Sequence, residues 1–75
     1  METITFYKDN KVDGRFEKNV DEIIREFYQT EESKWDMPFD RLILNHMSLN
    51  YGSFEMTNID WDNLYNSKRN YNKLL

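Results

Sequence analysis

The single histidine, His46, lies two residues before Ser48, and the chain also carries two close carboxylate pairs, Asp36/Asp40 and Asp60/Asp62. These are the residue types that could do chemistry. A histidine can serve as a base and a serine as a nucleophile. A residue and its neighbour two along do not form a triad, which needs a third group to orient the base. The carboxylate pairs could take a hard cation through oxygen. Neither belongs to a D-x-D-x-D-G…E calcium loop, and magnesium usually draws further ligands from its substrate. There is no cysteine, hence no thiolate nucleophile and no zinc–thiolate site. A glycine-rich phosphate loop is also missing. Neither catalysis nor a metal or cofactor is expected, since helix capping and solvation account for the carboxylates.

Charge narrows the remaining classes. The 75 residues carry a net charge of −4, unevenly placed. Residues 1–16 are balanced, residues 17–62 hold eleven acids against four bases, and residues 63–75 hold Lys68, Arg69 and Lys73 with no acid. An acidic body argues against direct nucleic-acid binding, which needs a basic surface for the phosphates. It suits a basic protein surface, although an ordinary solvated face has the same composition. No segment approaches the ~18 apolar residues of a membrane span, and METITFYKDN lacks a signal-peptide pattern, so a cytoplasmic protein is expected. The chain has nine asparagines and no alanine. This scarcity of residues with GC-rich codons suggests an AT-rich genome, such as that of a low-GC bacterium or its phage.

One domain fits this length, and a chain so short buries only about 60% of its unfolded surface. Its many aromatic rings offset part of that deficit, and pairing into a homodimer is another route to stability. The elements read as follows. Thr3–Tyr7 is β-branched and aromatic, and Asp13–Gly14 signals a turn, which predicts a hairpin between about 2–8 and 13–17. Asn19 as N-cap, with Val20, Ile23, Ile24, Phe27 and Tyr28 in one stripe, predicts a helix over about 20–31. Pro38 can open a short helix to about 46, for which Phe39, Leu42, Ile43 and Met47 have the spacing. Residues 53–57 alternate as a strand does. Asp60 is placed to cap a helix at about 61–73 whose basic end suits the helix dipole. The expected fold is a small α+β domain with an N-terminal hairpin, a central amphipathic helix and a C-terminal helix.

Two features bear on what such a domain binds. The first is the acidic set that includes Glu26, Glu31, Glu32, Asp36 and Asp40 on the central helix and the loop after it. Carboxylates so spread can compete for a DNA-binding surface. The second is HMSLNY, His46–Tyr51, in which Met47, Leu49 and Tyr51 alternate with Ser48 and Asn50. An extended backbone would point the three apolar side chains one way, as a half-buried strand does or as a peptide presents anchors to a groove.

HMSLNY resembles the peptide by which polymerases and repair proteins engage the bacterial DNA sliding clamp, with His46 where that motif has glutamine. In size, acidity and this motif the chain resembles small phage-encoded inhibitors of the clamp. The resemblance implies a partner, the host clamp, and a function, blocking host DNA replication. Met47, Leu49 and Tyr51 would fill the clamp's apolar pocket, with His46 at its polar edge and the carboxylates facing its positively charged channel. The alternative is an acidic DNA mimic that inhibits another host protein, such as a nucleoid protein, an RNA polymerase factor or a CRISPR nuclease. There HMSLNY would be core and the carboxylates would carry binding.

Overall fold

In the computed structural model, which describes residues 2–74, the alternation of TITFY becomes strand β1, Thr3–Tyr7. Ile4 and Phe6 point inward, and Thr3, Thr5 and Tyr7 lie on the other face. Strand β2, Arg15–Asn19, pairs antiparallel with β1 from Thr3↔Asn19 to Tyr7↔Arg15. The second strand starts two residues later than the turn signal predicts. Lys8–Asn10 and Val12–Gly14 are each 3₁₀ turns, and Asp9 and Asn10 adopt the left-handed conformation that these residue types tolerate.

β2 runs directly into helix α1, Val20–Tyr28. The Asn19 side chain accepts from the Glu22 N–H at 3.2 Å, the cap expected of it. The helix ends at Tyr28 and not near residue 31. Gln29 and Thr30 N–H groups return to the Glu26 and Phe27 carbonyls, and the Thr30 hydroxyl donates to Phe27 O at 2.6 Å. A 3₁₀ turn at Glu31–Lys34 follows. Helix α2, Phe39–Asn50, starts after Pro38 and continues four residues beyond the expected end at 46.

The alternating stretch 53–57 pairs only as β3, Ser53–Phe54, through Phe6↔Phe54 and Tyr7↔Ser53. The sheet order is therefore β2-β1-β3, antiparallel throughout. Helix α3, Asn58–Lys73, begins three residues before the expected 61, because Thr57 and not Asp60 is its cap. Thr57 Oγ1 accepts from Asp60 N–H at 3.2 Å, and Asp60 accepts from Thr57 N–H at 3.0 Å. This reciprocal box gives Asp60 a capping role at the start of α3.

The core lies between the inner sheet face and the helices. Ile4 and Phe6 meet Val20, Ile23, Ile24 and Phe27 of α1, Leu42, Ile43 and Met47 of α2, Tyr51, and Leu64 of α3. Phe6 lies at the centre of an aromatic group, with ring centroids 5.1 Å from Tyr51 and 5.6 Å from both Phe16 and Phe54. Gly52 carries the chain from α2 to β3 at φ 116°, and a Cβ there would stand 2.5 Å from the Tyr7 carbonyl oxygen. Only glycine fits both constraints. The chain is a single α+β domain with the predicted hairpin, central helix and C-terminal helix.

Candidate functional site

HMSLNY is the last five residues of α2 and the Tyr51 that follows, not an extended segment. A helix turns by about 100° per residue, so Met47 and Tyr51, four apart, share a face and Leu49 lies opposite. Met47 is 0% exposed, His46 7% and Tyr51 9%, whereas Leu49 is 75% exposed. Three anchors on one face, as the alternation suggested, do not exist in this fold. Met47 and Tyr51 are core, and of the expected hook residues only Leu49 reaches solvent.

His46 and Tyr51 instead form a polar chain that ties α2 to α1. Tyr51 hydroxyl donates to Glu26 Oε1 at 2.9 Å and lies 3.1 Å from His46 Nε2. With that proton given to Glu26, the phenolic oxygen must accept from Nε2–H, which makes Nδ1 the acceptor for Asn50 Nδ2 at 3.2 Å. Lys18 Nζ completes the set, 2.9 Å from Glu26 Oε2 and 4.8 Å above the Tyr51 ring.

Each group titrates accordingly. Burial lowers the His46 pKa against the opposing charges of Glu26 and Glu32. Burial also raises that of Tyr51, and the adjacent Glu26 carboxylate adds to the rise. For Glu26, burial pushes upward, but the hydrogen bonds from Lys18 and Tyr51 and the Lys18 charge outweigh it, so the net shift is downward. Glu26 is half-buried like Glu32, but its two oxygens are engaged by Tyr51 and Lys18, which sets it apart from the other expected acids.

The other four expected carboxylates stand together on the segment joining α1 to α2. Glu31 and Glu32 open the 3₁₀ turn, Asp36 follows it, and Asp40 occupies the first turn of α2. Glu31, Asp36 and Asp40 are exposed and Glu32 half-buried. Among the described residues the ion pairs are Arg15–Glu17, Lys18–Glu22 and Lys18–Glu26, so none of these four is in one. Within the sequence 31–40 the only base among the four carboxylates is Lys34, with Arg41 just beyond. Asp40 accepts a hydrogen bond from the Tyr65 hydroxyl, which fixes this end of the segment to α3.

Two residues that the sequence reading missed stand inside this acidic segment. Trp35 is 54% exposed and Met37 43%. The available signal was two large apolar side chains in a stretch without periodicity, where no core face claims them. Two residues after Met37, Phe39 packs on Phe27 and Tyr65, with ring centroids at 5.7 and 5.3 Å. The basic tail has structural work nearby: Lys68 Nζ sits 5.4 Å from the Phe39 ring centroid and Arg69 donates to Asn66.

Elsewhere, a groove of about 560 Å³ opens between α1 and α3. Its charges are Asp21, Glu22 and Arg25, and Asp21 already accepts from Ser67 Oγ at 2.6 Å. Among the described residues no cluster of three metal-ligating side chains forms, and no helix is long and apolar enough to cross a membrane. No protein-family model, curated protein or solved structure matches the chain.

Proposed function

We propose that this chain is a binding protein that occupies the nucleic-acid-contacting face of a cationic host protein and blocks it without chemical change. The observation that carries the reading is the set of carboxylates on residues 31–40, exposed or half-buried and free of ion pairs among the described residues. Acids that stand in no ion pair among the described residues are open to a partner's lysines and arginines, and a complementary potential speeds and orients encounter. The bacterial sliding clamp stays within this class through its positively charged channel and no longer through its peptide pocket. A nucleoid protein, an RNA polymerase factor or a CRISPR nuclease is the same reading with a different target.

Two assays test it: clamp-dependent primer extension, and duplex binding by a purified nucleoid protein. The parent chain inhibits at least one of them at low salt. Glu31→Lys with Asp36→Lys abolishes the inhibition, and Leu49→Ala leaves it intact. Inhibition that survives the charge reversal, or is absent from both assays, contradicts the reading.

A further inference from the structure

We propose that Trp35 and Met37 are the anchors of this docking surface, and that its occupant is a protein face whose apolar pocket is ringed by lysine or arginine. The inference rests on the reading of the acidic segment given above and adds the residues that enter the partner.

The local backbone is the first argument. The segment is tied down at successive points: Ser33 Oγ donates to Thr30 O at 2.8 Å, Trp35 N–H to Glu32 O at 3.1 Å, and Met37 N–H to Trp35 O at 2.9 Å. Pro38 and Phe39 then enter α2, with the Phe39 ring held by Phe27 and Tyr65. Order is thus imposed on a loop whose two large apolar side chains, Trp35 and Met37, stay about half exposed. A pre-ordered loop presenting a tryptophan loses little freedom on binding, and tryptophan is among the residues most enriched at the centres of protein interfaces.

Charge selects the occupant. Glu31, Glu32, Asp36 and Asp40 surround the pair in sequence against Lys34. A nucleic-acid backbone or an anionic lipid surface would be repelled by this rim. A second copy of the chain would bring the same acidic rim against itself. A cationic protein surface is complementary, and an apolar pocket within it would take Trp35 and Met37 out of water.

The test uses the full chain carrying Trp61→Phe, which leaves Trp35 as the only tryptophan, its fold checked by circular dichroism. The probes are purified bacterial sliding clamp and a purified nucleoid protein, each titrated at low and at moderate salt. The expected result, with at least one probe, is a blue shift of Trp35 emission and shielding from acrylamide. Trp35→Ala, read by calorimetry in the parent chain, should weaken binding by about tenfold or more. Met37→Ala should weaken it several-fold, and both should keep the salt dependence. If Trp35→Ala binds as tightly as the parent while Glu31→Lys with Asp36→Lys abolishes binding, the anchors are overturned and the acidic reading stands. If neither probe binds at low salt, both are overturned.

Discussion

Replacing Met47 and Leu49 separately by alanine distinguishes a helix face from a hook. Met47 is 0% exposed within the core, and Leu49 is 75% exposed two residues later. Truncating a fully buried methionine removes its transfer free energy and leaves a cavity, at a cost of about 2–5 kcal/mol. Truncating an exposed leucine changes stability by about 0.5 kcal/mol or less. A domain of this length has a total stability of about 4–11 kcal/mol, so Met47→Ala removes a large share of it. With a urea m-value of about 1 kcal/mol/M for so small a chain, the midpoint falls by about 2 M or more. Leu49→Ala shifts it by about 0.5 M or less on the same basis. Urea titration followed by circular dichroism at 222 nm reads both. A Leu49→Ala midpoint as low as that of Met47→Ala, or two variants indistinguishable from the parent, would refute the helical assignment of HMSLNY.

Other expectations concern the polar chain, the turn and the acidic rim. Burial holds the folded His46 pKa below its usual 6.5, so the unfolded chain takes up that proton first. The corresponding stability is complete above pH 6.5 and is lost as pH falls from there toward the folded value; Glu26, lowered from 4.5, adds a further loss at more acidic pH. Urea midpoints that stay level from pH 7.5 to 5 would contradict the assigned environment of His46. Tyr51→Phe removes a hydroxyl hydrogen-bonded to a carboxylate and leaves His46 Nε2 without its acceptor, at a cost of about 1.5–3 kcal/mol. Thermal unfolding should register this as a fall of about 6 °C or more. Gly52→Ala should cost about 1–3 kcal/mol through its positive φ, with the approach to Tyr7 O adding to it, and an unchanged melting temperature would refute the close packing there. Glu31→Lys with Asp36→Lys touches no ion pair among the described residues, so its melting temperature should equal or exceed that of the parent; a large fall would give these acids a structural role.

The stripe of α1 and its Asn19 cap were legible because helical period and cap chemistry agree over nine residues. The hairpin was legible in kind but not in register, since Asp13–Gly14 forms part of a 3₁₀ turn and not a two-residue hairpin loop. HMSLNY misled because three apolar residues in alternation are too few to tell period two from period 3.6. The deciding pattern lay upstream, where Leu42, Ile43, His46 and Met47 continue one helical face through Tyr51. The acidic segment was visible as composition, yet the separation of Glu26 from it depends on Lys18 and Tyr51, 8 and 25 residues away in sequence. Trp35 and Met37 went unread because no local rule states which apolar side chains a small core leaves out.

The most direct measurement of the central claim is amide hydrogen exchange on the chain alone and with purified sliding clamp. Binding through the acidic segment predicts new protection over residues 31–40, with 46–51 keeping the protection of a helix end. Loss of protection over 46–51 on binding, with 31–40 unchanged, would mean that the end of α2 melts into an extended hook, and would contradict the account.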